Sequence, residues 1–367
     1  MHGRVPSTVE APVSMADLRC LAQAGLPAAV WDVRDGGTGS ESTMAANRSA
    51  FGDIAVLPRV MMGVGAVDTG SRLVGTDTRL PIVAAPMAYQ RLFHPDGELA
   101  LGRAAADAEI PYVVSTLSST SIEEIAGIGG PQWFQLYWLR DEQQTLTLVR
   151  RAEAAGCRAV MLTVDVPIMG RRLRDVRNRF ALPADVRAAN LDDGRPSGAH
   201  DETEGSAVAR HTSVAFAPAL TWRHVERLRA YTPLPLIIKG ILDPRDARSA
   251  IDAGADAVVV SNHGGRQLDG AVSSITALPA VVDAAAGQCE VLLDSGVRSG
   301  TDVLKALALG ATGVLVGRPL LWGLAAGGEQ GTRQVLALLA TELQDAMMLS
   351  GCADLAAVAR IDARRGA

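Results

Sequence analysis

The feature that most restricts this chain is a rhythm that begins near residue 82. Eight short apolar, β-branched runs recur, and helical stretches separate them. The runs are Ile82–Met87, Tyr112–Ser115, Trp133–Tyr137, Ala159–Asp165, Leu236–Lys239, Ala257–Ser261, Val291–Asp294 and Gly313–Gly317. Short apolar runs bounded by turn signals are the pattern of strands buried on both faces. The stretches between them include Leu99–Ala108, Ile122–Ala126, Gln143–Ala155, Pro244–Ala253, Ile275–Ala285 and Gly300–Leu309. Several stop at glycine, as at Ala155-Gly156, Ala253-Gly254 and Leu309-Gly310, where a left-handed residue ends a helix. Eight strand–helix units predict an α/β fold, a (β/α)8 TIM barrel. A doubly wound open sheet is the alternative, disfavoured because no GxGxxG follows the first strand.

Ahead of the barrel, residues 1–13 read as a loose tail and the rest as an N-terminal helical extension. Ser14-Met15-Ala16-Asp17 has the form of a helix cap, and Pro27–Phe51 is helical with breaks at Gly36, Gly37 and Gly39. All 367 residues are assigned to one domain. The connection after the fourth strand, residues 183–218, is polar and acidic and is expected to be a mobile loop after strand 4. It leaves the face on which barrel active sites lie.

With aromatic residues at only 4%, Ala, Val and Leu must fill the core. A net charge of −5 implies no basic surface for nucleic acid or for a membrane. Met1-His2-Gly3-Arg4 lacks a signal peptide's apolar core. Cys20, Cys157, Cys289 and Cys352 form no CxxC pair, which fits reduced thiols and no zinc site. The expectation is a cytoplasmic protein without a metal.

Chemistry concentrates at the carboxyl ends of the runs. Ser261-Asn262-His263-Gly264-Gly265-Arg266-Gln267-Leu268-Asp269-Gly270 follows Ala257-Val258-Val259-Val260. A histidine able to take a proton thus stands three residues from an arginine able to grip a carboxylate at two points. A purely structural turn is the plainer reading. The other run ends carry Ser115, Gln135, Tyr137, Thr163, Asp165, Lys239, Asp294 and Arg318. Turn chemistry alone does not call for such a ring. Lys239 is one of only two lysines among 35 basic residues.

These motifs resemble the FMN-dependent 2-hydroxy-acid oxidases and dehydrogenases. The resemblance rests on Ser261–Gly270, Thr163-Val164-Asp165-Val166-Pro167, Gly170-Arg171-Arg172, Lys239-Gly240, Leu293–Val303 and Val316-Gly317-Arg318-Pro319, and it runs from about residue 14 to 355. Within the family the chain is most similar to the 4-hydroxymandelate oxidases, through Ala88–Pro95, Trp133–Glu142 and Val166–Asp175. The resemblance implies FMN as cofactor, an aromatic (S)-2-hydroxy acid and dioxygen as partners, and a homo-oligomer, by resemblance a tetramer. It implies that His263 accepts the substrate's proton, that Asp165 pairs with the imidazole, and that Tyr137 hydrogen-bonds the reacting oxygen. Arg172 and Arg266 would hold the carboxylate, although Arg171, Arg174, Arg177 and Arg179 make a solvated basic face an alternative for Arg172. Lys239 would stand beside the flavin's N1 edge, with Ser115, Gln135 and Thr163 along its polar rim. Ala85, Met87 and Ala88 would line its other side. Asp294 would bind the ribityl chain. Arg298, Gly317 and Arg318 would bind the phosphate, with Ser261, Ser295 and Gly296 completing the cofactor site. The chain departs from the family at Val33, where many relatives carry a tyrosine that touches the substrate carboxylate, and at Leu117, where glycolate oxidase has tryptophan. Both changes favour a larger, aromatic substrate.

Overall fold

The computed structural model describes residues 12–191, 198–200 and 205–365. Eight strands form a closed barrel: β1 (Ile82–Ala84), β2 (Tyr112–Ser115), β3 (Gln132–Leu136), β4 (Val160–Thr163), β5 (Leu236–Ile241), β6 (Ala257–Val260), β7 (Glu290–Leu293) and β8 (Gly313–Val316). Each pairs in parallel with its neighbours in sequence, and β8 closes on β1 through Val314 opposite Ile82. The expected runs overshoot several strands. Pairing stops at Ala84 and at Thr163, because the chain there turns from the ladder into the loops of the carboxyl face.

Strand alternation splits the core in two. Ile82, Val114, Phe134, Leu162, Ile238, Val258, Leu293 and Val316 share one cluster with the surrounding helices. Val83, Val113, Trp133, Met161, Ile237, Val259, Leu292 and Leu315 share the other, which fills the barrel. Both faces of every strand are therefore buried, which is why the runs are continuously apolar rather than alternating.

The helical extension comprises α1 (Met15–Gly25), α2 (Ala28–Asp35) and α3 (Ser42–Gly52). Ser14 and Asp17 form a reciprocal capping box on α1, as the sequence predicts. Gly156 and Gly254, at φ 82° and 90°, end their helices in the left-handed region. Two short pairings were not anticipated. Ser71–Leu73 pairs with Thr76–Thr78, and Ile54–Val56 pairs with Ala363–Arg365. Three-residue strands carry too little period to be recognised locally.

The tail 1–13 lies outside the described residues up to residue 11. Of the connection 183–218, residues 192–197 and 201–204 also lie outside them. The rest of that connection includes a helix, Ala207–Ala215, capped by the Ser206 hydroxyl. Its polar flanks disguised a short helix as loop.

Candidate active site

The inward register that packs the barrel also builds the site. Two residues beyond each core side chain stands a group expected at the cofactor site: Val83 leads to Ala85, Val113 to Ser115, Trp133 to Gln135 and Met161 to Thr163. On the other side Ile237 leads to Lys239, Val259 to Ser261, Leu292 to Asp294 and Leu315 to Gly317. All but Ser261 line one cavity at the carboxyl ends of the strands. Met87, Ala88, Ser295, Gly296, Arg298 and Arg318 line it too, as do Tyr137, Arg172, His263 and Arg266. Of the expected site residues, only Ser261 and Asp165 stand behind the wall.

Asp165 acts through His263. Its Oδ1 lies 3.0 Å from His263 Nδ1. With the proton of that bond on Nδ1, Nε2 is left as an acceptor. Burial lowers the His263 pKa, reinforced by the Lys239 and Arg172 cations and opposed by Asp165, so the imidazole is neutral at pH 7. Burial favours protonated Asp165, but His263 and Lys239 outweigh it and hold the carboxyl below its ordinary value. Asp165 therefore caps no helix; it fixes the imidazole. Gly240, at φ 117°, permits this contact, because a Cβ there would come within 2.7 Å of the Asp165 Cβ. His263 itself sits at φ 58°, a conformation few side chains adopt, and its N–H is held by the Ser261 hydroxyl at 3.0 Å.

Lys239 is buried and held by Asp294 Oδ2 and Ser261 Oγ, both at 3.0 Å. Burial would lower its pKa, but Asp294 and Asp165 raise it, so the cation persists. Ser115 Oγ donates to Gln135 Oε1 at 3.1 Å, and Gln135 Nε2 donates to Thr163 Oγ at 3.1 Å. This polar chain beside a buried cation suits the pyrimidine edge of a flavin.

At the far end, Arg298 gives one donor to the Val297 carbonyl and leaves the others free. Burial, Arg318 and Arg48 bring its pKa down to about 9. Gly317 precedes the helical span Arg318–Ser350, which is kinked at Gly327 and Gly328. Pro319 has no N–H and those of Leu320 and Leu321 bond the Gly317 carbonyl, so an anion here would rely chiefly on the Arg298 guanidinium and the Arg318 N–H. The donor set thus fits FMN throughout: a ring edge, a cation, an acidic group for a polyol and a phosphate cradle. Among the described residues, no cluster of His, Cys, Asp and Glu could hold a metal, and no helix is long and apolar enough to cross a membrane.

Arg172 is buried in the cavity wall, 3.9 Å from Asp175, whereas Arg174 pairs with Asp32 and Glu41 on the extension. The run of arginines therefore divides between cavity and surface. Burial, with Asp165, raises the Tyr137 pKa and keeps its phenol a donor. Arg34 and Tyr89 also line the cavity, and sequence reasoning missed both. Arg34 follows Val33 on α2, and Tyr89, at φ 55°, is held by its N–H to the Leu117 carbonyl. The only available signal was their closeness in sequence to Val33 and Ala88.

A parallel barrel with a neutral, carboxylate-backed histidine, cationic side chains and a flavin-shaped donor set defines a flavin-dependent oxidoreductase. The sequence profile of the FMN-dependent dehydrogenases matches residues 22–364. The chain is 57% identical to the 4-hydroxymandelate oxidase of Amycolatopsis orientalis, over 96% of this chain and 99% of that one. It is 45% identical to the L-lactate oxidase of Nostoc sp., over 95% and 97%. A solved mandelate oxidase bound to (S)-4-hydroxymandelic acid superposes with a TM-score of 0.94 at 57% identity, over 97% of this chain and 99% of that one. The chain belongs to the FMN-dependent dehydrogenase family, as a 2-hydroxy-acid oxidase with FMN as its cofactor.

Proposed function

We propose that this chain oxidises an aromatic (S)-2-hydroxy acid, 4-hydroxymandelate, to 4-hydroxyphenylglyoxylate. The observation that carries this reading is the His263–Asp165 pair at 3.0 Å, set in a wall it shares with Arg172 and Tyr137. The substrate loses the hydrogen on its α-carbon, the hydroxyl proton and two electrons. Bound FMN supplies the two-electron acceptor, and dioxygen then takes the electrons to form hydrogen peroxide.

His263 Nε2 accepts the substrate's proton, and Asp165 stabilises the imidazolium that results. Tyr137 donates to the reacting oxygen. Arg172 and Arg266 hold the carboxylate and orient the α-carbon toward the imidazole. Lys239 favours negative charge at the neighbouring ring edge, with Ser115, Gln135, Thr163 and Ser261 around it and the backbone of Ala85, Met87 and Ala88 opposite. Asp294 takes the polyol. Ser295, Gly296, Arg298, Gly317 and Arg318 take the phosphate.

The substrate's ring is supported by Leu117, Leu92, Met169, Phe180 and Val208, apolar groups on the same wall. Val33 and Leu117 leave room that a phenol and an indole would occupy. The helix Ala207–Ala215 borders the ring's side of the cavity, since its Val208 reaches the lining. We assign the enzyme to the cytoplasm as a homo-oligomer, a tetramer. Exposed Leu57, Val60, Met61 and Met62 beside Met348 and Leu349 supply an apolar surface for self-association.

Anaerobic mixing with glycolate, lactate, mandelate and 4-hydroxymandelate tests the reading. 4-Hydroxymandelate should bleach the flavin fastest, with peroxide released on re-aeration. Faster bleaching by lactate or glycolate would reject the aromatic substrate, and bleaching without peroxide would reject the oxidase.

A further inference from the structure

The donors of the cavity arginines are unequally committed. Arg266 spends Nη1 on the carbonyls of Arg34 and Gly36 and Nη2 on that of Val33, at 2.9–3.1 Å. Arg318 likewise donates to the carbonyls of Arg34, Gly36 and Gly264. Both guanidiniums thus close the carboxyl end of α2, whose last carbonyls lack helical partners and carry the negative end of the dipole. Two other arginines of the same cavity are not spent in this way. Arg172 has a buried Nε without a partner, and its nearest carboxylate, Asp175, is 3.9 Å away. Arg34 has a buried Nε without a partner and makes one side-chain bond, from Nη2 to the Ala88 carbonyl.

The structure assigns Arg34 to the substrate-carboxylate site as a third cationic donor, beside Arg172, in the place left open by the phenol missing at Val33. This rests on the hydroxy-acid reading above. Three facts converge on it. Arg34 lines the cavity that His263, Tyr137 and Arg172 line. No ion pair joins it to a carboxylate among the described residues, Asp175 acts on it only from a distance, and an entering anion would give it a direct partner. Its Nη2 ends on the carbonyl of Ala88, which lines the same cavity, so the guanidinium is tied to that wall with Arg172 and Tyr137. Nη2 is held by the Ala88 carbonyl and Nε is buried without a partner, so Nη1 is the donor with no bond among the described residues, and Nε would be satisfied only by a group that enters the wall.

Phenylacetate, which lacks the hydroxyl and cannot be oxidised, reports carboxylate binding when titrated against the flavin absorbance of the holoenzyme. Phenylacetamide is its uncharged control. Arg34→Gln should weaken phenylacetate by about 10- to 100-fold and phenylacetamide by no more than about threefold. The dissociation constant of FMN, read from fluorescence quenching, should stay within about threefold of wild type. Arg34→Lys keeps the charge without the fork. It should give an intermediate loss, and it supplies the measurement if the glutamine variant fails to fold. An acid-over-amide preference unchanged in Arg34→Gln, or in Arg34→Lys if only that variant folds, overturns the assignment. So does an equal loss of both ligands together with FMN, which would make Arg34 a tie between α2 and the Ala88 segment. Arg172→Met separates the two levels. If it also leaves the preference intact, the carboxylate does not bind this wall at all. If the arginine effects appear while 4-hydroxymandelate goes unoxidised, only the substrate reading fails.

Discussion

The two ends of the barrel are built on opposite principles. At the amino end, the hairpin Ser71–Leu73/Thr76–Thr78 inserts Leu73 and Val74 into the barrel's apolar filling. Its polar groups are matched: the Val74 N–H donates to the Glu290 carboxylate at 2.9 and 3.0 Å, and the Trp133 indole donates to Thr76 Oγ at 3.1 Å. At the carboxyl end, Arg34 Nε, Arg172 Nε, Asp165 Oδ2 and Asp175 Oδ1 are buried without partners. Tyr89, His263 and Ser295 there adopt φ of 55°, 58° and 71°. One end closes the core. The other holds strain and unmatched polarity that a bound cofactor and substrate can relieve. The hairpin plug carries strain too, with Val74 at φ 48°, but there the N–H is held by the Glu290 carboxylate, whereas most of the unpartnered atoms gather at the carboxyl face.

Substitutions that act on one end and spare the other sharpen this contrast. His263→Ala should have the largest effect. Anaerobic flavin reduction should fall by about 10²- to 10⁴-fold while FMN stays bound and the melting temperature hardly moves. Wild-type reduction would take the proton-accepting role away from His263. Leu73→Ala should do the reverse. It removes packing from the plug and should cost about 2–5 kcal/mol in denaturant titrations, with the rate per folded, FMN-loaded molecule unchanged. A large loss of rate at full occupancy would mean the two ends are coupled, and the contrast would break.

The smallest effect is that of pH. The lowered pKa of His263 places the acid limb of kcat/KM below 6.5, because imidazole protonated in the free enzyme cannot accept the substrate's proton. The folded-state pKa values of both His263 and Asp165 lie below their ordinary values, so their contribution to stability is present above those values and lost as pH falls. A limb centred above 6.5 would contradict the neutral imidazole.

The barrel was legible because its signals are local. Runs such as Ala257-Val258-Val259-Val260 announce strands buried on both faces. The period of two then carries most inward side chains to a polar residue two positions on, from Val113 to Ser115 and from Ile237 to Lys239. The dyad was legible only by resemblance, since Asp165 and His263 lie 98 positions apart. The hairpin plug, the helix Ala207–Ala215 and the roles of Arg34 and Tyr89 were not legible, because short strands and isolated side chains carry no periodic signature.

The amino-acid order alone therefore determines the barrel, its polar rim and the identity of the groups on that rim, since strand alternation needs no knowledge of distant neighbours. Which arginines keep donors for a substrate was settled in three dimensions. Arg266 reaches the carbonyls of Val33, Arg34 and Gly36 from 230 to 233 positions away, and packing of α2 against the barrel face occupies both its Nη groups and leaves it Nε, while Arg34 commits only Nη2.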